Sequence, residues 1–392
     1  MPKKGPNEPA LPQIRERLDR LDQEILERLA ERQRLVLEVA EDKRRRGVAI
    51  RDVEREREVL ASRRAAADAL GFPGNIAESI WRLIMLASRE QQSAQQPKPA
   101  AESDRKTIAI IGGAGQMGEL LARFFGDFGH EILVVDKETE LTAEEAAPRA
   151  DVVIVSVPIR ETERVVREVG PLLRPDALLM DITSLKAAPM RAMMDSTEAS
   201  VIGTHPMFGP GVRAFEGQRV VICVGRDREE NPWLDWVTRH FRARGLFLNL
   251  TTPDHHDRVM SIVQVLLHYQ TQVLGLTLAN TGMPLEESLA FTSPAYLLEA
   301  YVAARHFAQD SALYGPIEME NPARREIVDA FRAAAAEIGE ILEAGDQARF
   351  DAVFEKVRAY FGEFTAEALE QSGFLIDRLI ELTTGRAAAQ TT

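Results

Sequence analysis

The stretch KTIAIIGGAGQMG, residues 106–118, decides the fold of the central part of the chain. A short apolar run leads into a glycine-rich turn, and the residues after the turn have a helical pattern. Three glycines stand at G-x-G-x-x-G spacing, which allows a tight turn, a close approach of the backbone to phosphates and close packing of helix against strand. The N–H groups at a helix N-terminus also bind anions. The predicted contacts of a dinucleotide pyrophosphate are therefore Gly113, Gly115, Gln116, Met117 and Gly118.

The next predicted strand, EILVVD, ends on Asp136, about twenty residues after the glycine turn, where dinucleotide-binding folds carry an acidic residue. A carboxylate there accepts hydrogen bonds from the ribose hydroxyls of NAD and repels the 2′-phosphate of NADP. A third strand over 151–157 gives the unit its parallel neighbour, and Ser156 near its end joins the predicted cofactor contacts. We therefore expect an α/β Rossmann domain that binds NAD, although Lys137 beside Asp136 leaves NADP as an alternative.

Length and composition set limits on the rest of the chain. The 392 residues are too many for one ordinary domain, so two or three domains are expected. A hydrophobic content of 45% with 28% charged residues is typical of a soluble protein, and no apolar run approaches the length of about 20 residues that a membrane span needs. The N-terminus lacks the apolar core of a signal peptide, and Cys223, the single cysteine, excludes an internal disulfide. We expect a cytoplasmic protein without a metal site or a membrane partner.

The net charge of −13 argues against a nucleic-acid partner, but it is unevenly distributed. Residues 1–92 hold 19 Lys and Arg against 17 Asp and Glu, a net charge of +2, so the remainder carries −15. The first part of the chain therefore suits small anions better than the rest does.

A single long helix is predicted over residues 14–46, which contain no Pro or Gly. At 1.5 Å per residue it would be a rod of about 50 Å, too long to bury its apolar stripe within a domain of about 90 residues. We therefore predict a dimer of helices. Arg32 and Lys43 fall on the same stripe as the apolar residues.

Charges on such a face cost several kcal/mol unless they are paired. A second helix, from about Asp52 to Leu70, supplies Glu56, with Asp52 and Arg55 beside it at helical spacing. Two interpretations follow from the pattern alone: an internal ion-pair network that joins the helices, or a polar pocket for a dianion. A third helix over 76–92 completes the module.

The sequence IRERLDRLDQEILERLAERQRLVLEVAEDK, residues 14–43, followed by IRDVEREREVL, residues 50–60, resembles the all-helical chorismate mutase family. The resemblance covers about residues 11–92 and implies a three-helix subunit that dimerises with its long helices intertwined. It also implies that chorismate is rearranged to prephenate, a unimolecular reaction that needs positioning and hydrogen-bond donors rather than a nucleophile.

Motif positions of that family match this chain residue by residue. The resemblance implies that Arg15 reaches into the partner's active site and that Arg32 binds a carboxylate in its own. Lys43 would contact a carboxylate and the ether oxygen, and Arg55 would support the same cluster. Asp52 and Glu56 would contact the ring hydroxyl. Gln92 would contact the ether oxygen, and the adjacent Gln91 is an alternative for this role.

A polar linker over 93–105 separates this module from the nucleotide-binding unit. Beyond it, the strand ALLMD is followed by a loop with Ser184, and a strand over 201–203 is followed by a loop with His205. Ligands of open parallel sheets bind at the carboxyl ends of the strands, so both side chains are candidates to face the nicotinamide. A histidine in a loop can equally be a solvated or capping residue.

The motifs DITSLK (181–186), THPMFGP (204–210) and ARHFAQD (304–310) resemble the prephenate dehydrogenases. The resemblance implies that His205 takes the proton of the substrate 4-hydroxyl, that Ser184 hydrogen-bonds at the same site and that Arg305 binds a substrate carboxylate. Gln264 and His268 would line the substrate pocket. His256 or His255 matches a further family histidine, and the pattern leaves the register open.

From about residue 253 the pattern is helical, with segments predicted over 257–280, 293–309, 321–344 and 346–371 and a disordered tail over 385–392. The predicted organisation is an all-α chorismate mutase module (1–92), a linker (93–105), an NAD-binding Rossmann domain (106–252) and an all-α substrate-binding and dimerisation domain (253–392).

Together the two resemblances imply a homodimeric, bifunctional enzyme of tyrosine biosynthesis that uses NAD, with chorismate and prephenate as substrates and tyrosine as a feedback inhibitor. A dehydrogenase that prefers arogenate is the first alternative. A second is a dehydrogenase whose N-terminal helices are a non-catalytic dimerisation or effector module. A third is a protein that binds NADH without turning over prephenate.

Overall fold

The computed structural model describes the backbone of residues 11–46, 53–94, 104–212, 214–228 and 232–390. Side chains are described over 11–42, 54–92, 104–212, 214–228 and 232–380. These residues form two compact units. One contains the residues up to 157 together with 165–182 and 193–250, and the other contains 158–164, 183–192 and 251–390.

Three helices open the described part of the chain: α1 (Leu11–Arg46), α2 (Val53–Ala69) and α3 (Gly74–Ala94). All three predicted helices are confirmed, including the long uninterrupted first one. Their apolar residues are poorly covered within one chain, because Leu18, Leu21 and Ile25 on α1 are 53%, 54% and 56% exposed. Helix α1 thus carries an apolar face that the described chain leaves in contact with water.

Seven strands of the described residues form one sheet: β1 (Thr107–Ile111), β2 (Glu131–Val135), β3 (Val152–Val155), β4 (Leu178–Asp181), β5 (Ser200–Pro206), β6 (Arg219–Arg226) and β7 (Phe247–Thr251). Their order is β2-β1-β3-β4-β5-β6-β7, and β1 to β5 are parallel to their neighbours in that part of the sheet. The connecting helices are α4 (Gln116–Gly126), α5 (Ala143–Ala146), α6 (Ile159–Val169), α7 (Ala187–Ser196) and α8 (Trp233–Ala243).

The β-branched and aliphatic runs of β1, β3 and β4 are almost entirely buried, as expected for central parallel strands covered on both faces. Aromatic residues of α4 and α8 complete this core, with Phe124, Phe125, Trp236 and Phe241 among its buried members.

Strand β5 is longer than the sequence predicts. The sequence places residues 204–210 in a loop, but β5 continues through His205 to Pro206. The reason is β6, which runs antiparallel to β5 and pairs Val221 with His205 and Val220 with Pro206. The prediction of a loop histidine was therefore wrong.

The second unit is mainly helical, with α9 (Pro253–Met260), a π-helical turn (Ser261–Leu266), α10 (Leu267–Asn280), α11 (Leu285–Ala290), α12 (Pro294–Phe307), α13 (Ser311–Met319), α14 (Arg324–Ala344), α15 (Gln347–Phe361) and α16 (Phe364–Gln390). The break predicted at Gly345 is confirmed, since this residue ends α14 with a φ of 62°. The predicted disorder over 385–392 is wrong as far as Gln390, where α16 ends. No described helix combines the length and the apolarity needed to cross a membrane.

Candidate active sites

The glycine turn lies between β1 and α4, as predicted, but the residue that makes it possible is Gly112. Gly112 has a φ of 81°, and a Cβ on it would overlap the backbone carbonyl of Ser156. Only glycine fits such a conformation without strain. The motif predicted from the sequence began at Gly113 and left out Gly112, although the doubled glycine was the visible signal.

The three motif glycines differ in what surrounds them. A Cβ on Gly113 would come within 2.7 Å of the Ile110 carbonyl, and one on Gly118 would overlap the backbone of Gly112 and Gly113. A Cβ on Gly115 would meet one atom, the Gly112 carbonyl oxygen, at 3.3 Å. Gly113 and Gly118 are therefore needed for the local backbone packing, whereas the space beside Gly115 is open apart from that one oxygen.

Gly115 is also the N-cap of α4, so that Gln116 and Met117 form the first turn of this helix. The N–H groups of a first helical turn lack intrahelical acceptors and carry the positive end of the helix dipole. The cradle therefore fits the pyrophosphate of a dinucleotide.

Asp136 directly follows β2 and is half-buried beside this cradle. Its Oδ2 accepts a hydrogen bond from the Ala114 N–H at 3.1 Å, and its Oδ1 accepts one from the Lys137 N–H at 2.7 Å. The carboxylate is thus fixed against the glycine turn, in the position expected for a ribose contact.

His205 is 3% exposed and lies two residues beyond Gly203, which pairs with Asp181 at the end of β4. The preceding Thr204 donates its hydroxyl to the Asp181 carbonyl at 2.7 Å. His205 is therefore held at the carboxyl edge of the parallel sheet by two neighbouring strands. A buried strand position is more rigid than the predicted loop and suits a residue that must meet a substrate in one orientation.

Ser184 belongs to the second unit and precedes α7. His256 is buried, and its Nδ1 lies 2.8 Å from Asp257 Oδ1, whereas His255 is exposed. His256 is thus the member of the pair with a fixed environment.

Gln264 lies in the π-helical turn, a feature that is common at functional sites. His268 follows on α10, and its Nδ1 is 3.8 Å from Glu318 Oε1. Burial, together with the nearby His306, lowers the pKa of His268 to about 4, so the ring is neutral at physiological pH. Arg305 is exposed in the last turn of α12.

Sequence reasoning missed the polar partners around His268. Gln272 donates to Glu318 Oε1 at 2.7 Å and lies 3.2 Å from His306 Nε2. The Tyr314 ring lies 4.8 Å from the His268 ring and 4.0 Å from the His306 ring. The Gln272 contacts to His306 and Glu318 join segments 34 and 46 residues apart, so local spacing does not predict them.

In the N-terminal module, Arg32 donates to the Ser88 hydroxyl at 2.7 Å, and Ser88 is 4% exposed. Burial, with a smaller effect from the charge of Arg63, lowers the pKa of Arg32. Ser88 in turn donates to Gln33 Oε1 at 2.8 Å and was not predicted. A guanidinium in this partly dry setting would attract a carboxylate strongly.

Glu56 is held by Arg89, whose Nη1 lies 2.6 Å from Glu56 Oε1 with both side chains largely buried. Arg55 instead pairs with Glu58 at 2.8 Å on an exposed surface. Glu56 is thus paired with Arg89 of α3, a partner that the pattern did not reveal, while Arg32 of α1 bonds to the Ser88 hydroxyl.

The remaining predicted mutase residues are distributed as follows. Gln92 is half-buried and its Oε1 has no hydrogen-bond partner among the described residues, while Gln91 is exposed. Arg15 is exposed on α1. The side chain of Lys43 and the whole of Asp52 lie outside the described residues.

Three family models match consecutive parts of the chain. Residues 14–93 match chorismate mutase type II, residues 128–249 match the nucleotide-binding domain of prephenate dehydrogenase, and residues 252–356 match its dimerisation domain. The glycine turn precedes the second match, so its assignment rests on the geometry given above.

Two similar proteins span nearly the whole chain. The T-protein of Enterobacter agglomerans is 36% identical over 363 residues, which is 93% of this chain and 96% of that protein. The T-protein of Haemophilus influenzae is 33% identical over 376 residues, which is 96% of this chain and 99% of that protein.

Among solved structures, the prephenate dehydrogenase of Aquifex aeolicus in complex with hydroxyphenyl propionate and NAD+ has a TM-score of 0.53 at 18% identity and covers 65% of this chain and 98% of that one. This likeness extends to the fold. The identity and coverage of the full-length relatives go further, and the chain belongs to the T-protein family, in which a chorismate mutase is joined to a prephenate dehydrogenase.

Proposed function

We propose that the N-terminal module rearranges chorismate to prephenate and that the remainder of the chain oxidatively decarboxylates prephenate with NAD to 4-hydroxyphenylpyruvate. The observation that carries the proposal is the succession of a mutase domain and both dehydrogenase domains on one chain. The product of the first reaction is then the substrate of the second, which favours prephenate over arogenate.

The proposed mutase site uses positioned charges rather than a nucleophile. Arg32 binds a carboxylate, with Ser88 supporting the guanidinium, and Glu56 accepts the ring hydroxyl from a position fixed by Arg89. Gln92 donates its amide to the ether oxygen as negative charge develops there, and Lys43 contacts the same oxygen. Asp52 and Arg55 complete the ring-hydroxyl and carboxylate contacts, while Arg15 is supplied by the partner subunit.

The proposed dehydrogenase site combines a base, a hydrogen-bonding hydroxyl and a cation. NAD, when bound by the glycine turn, Ser156 and Asp136, supplies the acceptor for the hydride that leaves C4 of the ring. His205 takes the proton of the C4 hydroxyl, and Ser184 hydrogen-bonds to the same oxygen. The ring carboxylate then leaves as CO2, its bonding electrons restore the aromatic ring, and the proton returns to the phenolate oxygen.

Other residues hold the substrate. Arg305 offers a planar fork to a carboxylate, and Gln264 and His268 line the pocket. A base must be neutral to accept a proton, so His205 acts in its uncharged form.

The proposed active form is a homodimer. Its support is the family's dimerisation domain at residues 252–356 and the apolar residues that a single chain leaves exposed. Besides the α1 face, these include Phe291, Tyr360 and Leu369 at 88%, 84% and 79% exposure. Tyrosine, which has the ring and carbon skeleton of the product with an amino group in place of the keto group, is the proposed feedback inhibitor. The composition supports a cytoplasmic location.

Two single variants separate the two reactions. We expect Lys43→Ala to abolish the rearrangement of chorismate while sparing the turnover of prephenate, and His205→Asn to do the reverse. Undiminished mutase activity in Lys43→Ala would contradict the mutase assignment. If the unaltered protein turned over arogenate rapidly and prephenate not at all, the substrate would be arogenate and the proposal of prephenate would be wrong.

A further inference from the structure

Asp257, on α9, is a buried carboxylate that three donors hold in place. It is 2% exposed, and its Oδ1 accepts the Lys186 N–H at 2.8 Å and lies 2.8 Å from His256 Nδ1. Its Oδ2 accepts the Ala187 N–H at 2.9 Å. Both oxygens are thus occupied by groups that donate to an anion.

The two backbone donors belong to the start of α7, where helix geometry leaves N–H groups without intrahelical acceptors. A carboxylate at this end of a helix also interacts favourably with the helix dipole. Burial by itself raises the pKa of Asp257, but the hydrogen bonds from His256 and the two N–H groups outweigh it, and the pKa is lowered. The capping group is therefore an ionised carboxylate.

The capping residue is itself fixed from the opposite side. Asn321, which is 1% exposed, donates its side-chain amide to the backbone carbonyl of Asp257 at 2.9 Å. Its Oδ1 accepts the Ala323 N–H at 2.9 Å, next to the first residue of α14. Asp257 therefore links two helix starts. Its side chain bonds to the start of α7, and its backbone carbonyl bonds to Asn321, which lies just before α14.

The segment that this arrangement immobilises carries Ser184. Ser184 lies two residues before Lys186, and its neighbours Thr183 and Leu185 are each 6% exposed while Lys186 is fully buried. Because the N–H groups of residues 186 and 187 are both fixed by one carboxylate, the backbone leading back to Ser184 has little freedom.

We propose that Asp257 is a positioning residue of the dehydrogenase, which holds the Ser184 loop in the geometry required for the hydrogen bond to the substrate hydroxyl. This inference rests on the role assigned to Ser184 in the proposed function. Asp257 acts through the loop backbone rather than on the substrate.

The test is a double-mutant cycle in the full-length protein with NAD and prephenate. Asp257→Asn keeps one oxygen acceptor but replaces the other with an N–H2 group that faces a backbone donor. We expect it to lower the dehydrogenase kcat by about tenfold with a smaller change in the KM for prephenate, because positioning is lost rather than binding. In a Ser184→Ala background the same substitution should cost less than about twofold, since the side chain being positioned is absent.

Asp346→Asn is the matched control. Asp346 is also an N-cap, accepting the Arg349 N–H at 3.0 Å at the start of α15, but it does not contact the Ser184 loop. It should leave the dehydrogenase kcat unchanged. The thermal midpoint of each variant, followed by circular dichroism, shows whether the protein is folded, and the mutase rate with chorismate should stay unchanged because the mutase helices lie in the other unit.

Should Asp257→Asn fail to fold, Asn321→Ala loosens the same arrangement while keeping the carboxylate, and it should show the same dependence on Ser184. The positioning role would be overturned if the variant that folds, Asp257→Asn or Asn321→Ala, lost the same factor of dehydrogenase activity with Ser184 intact as in the Ser184→Ala background. Full dehydrogenase activity in Ser184→Ala alone would instead remove Ser184 from the proposed function, so the two failures are distinguishable.

Discussion

The carboxylate of Asp136 and the backbone N–H of Ala114 are joined by a hydrogen bond of 3.1 Å across the mouth of the glycine turn. The bond ties the residue after β2 to the loop before α4. It places a fixed negative charge beside the cradle, where the ribose of a dinucleotide would lie.

Replacing that charge should change cofactor selectivity. We expect Asp136→Asn to raise the KM for NAD and to lower that for NADP, because the repulsion of the 2′-phosphate disappears while a hydrogen-bonding side chain remains. The ratio of kcat/KM for the two cofactors, measured with prephenate, should shift toward NADP by about tenfold or more. An unchanged ratio of kcat/KM for the two cofactors would show that the ribose does not contact Asp136.

The glycine turn offers a matched pair of alanine substitutions. Gly112→Ala should destabilise the nucleotide-binding domain by about 3 kcal/mol or more, since it combines a positive φ with a clash against the Ser156 carbonyl. Gly115→Ala should fold nearly normally, because its Cβ would meet a single oxygen at 3.3 Å. It should nevertheless weaken NADH binding, which a fluorescence titration would measure; normal affinity would show that phosphates do not approach Gly115.

Arg89 should matter to the mutase through Glu56. We expect Arg89→Met to lower the mutase kcat/KM by about tenfold, because Glu56 loses the partner that fixes it at 2.6 Å. Arg28→Met provides the control, since Arg28 pairs with Glu31 at 2.7 Å on an exposed surface where such pairs contribute little. The dehydrogenase rate should stay constant in both variants, and an unaltered mutase rate in Arg89→Met would contradict the role given to Glu56.

A pair of buried histidines should make the first unit sensitive to acid. His130 Nε2 lies 2.9 Å from His240 Nε2, His130 Nδ1 accepts the Lys106 N–H at 3.2 Å, and His240 Nδ1 lies 2.7 Å from the Trp236 carbonyl. This chain of bonds requires both rings to be neutral. Burial, reinforced by His240 and opposed by Asp104, lowers the pKa of His130 to about 4, and burial also lowers the pKa of His240.

Acid lowers the stability of this unit because the unfolded chain binds more protons than the folded one. In the unfolded chain the two rings take up protons below about pH 6.5, whereas the folded unit resists protonation of His130 down to about pH 4. Stability should therefore be constant above about pH 7 and fall as the pH drops from about 6.5 toward 4. The thermal midpoint, followed by circular dichroism across this range, should depend less on pH in a His130→Phe/His240→Phe variant; equal pH dependence would exclude the pair as its source.

The features that the sequence predicted well are those encoded by short-range pattern. The strand-turn-helix around residues 106–118, the acidic residue after β2 and the long first helix all depend on neighbours within a few turns of chain. The extent of β5 does not, because it depends on pairing with β6, and this pairing moved His205 from a loop into a buried strand. Ser88 and Arg89 were missed for the same reason, since their partners lie 56 and 33 residues away in the chain.

The C-terminal helices show a second limit. Apolar spacing predicted one helix over 257–280. In the structure the helix begins at Pro253 and is interrupted by a π-helical turn at Ser261–Leu266, which contains Gln264. That turn packs against α14, a contact made between distant segments that helical periodicity cannot reveal.

One chain is proposed to perform both reactions in succession, and a single assay tests this directly. Purified full-length protein is given chorismate and NAD, and NADH, prephenate and 4-hydroxyphenylpyruvate are followed together. NADH and 4-hydroxyphenylpyruvate should form in equal amounts, and His205→Asn should stop the formation of both while prephenate accumulates. Failure to consume chorismate, or consumption that yields prephenate but no NADH with the unaltered protein, would contradict this proposal.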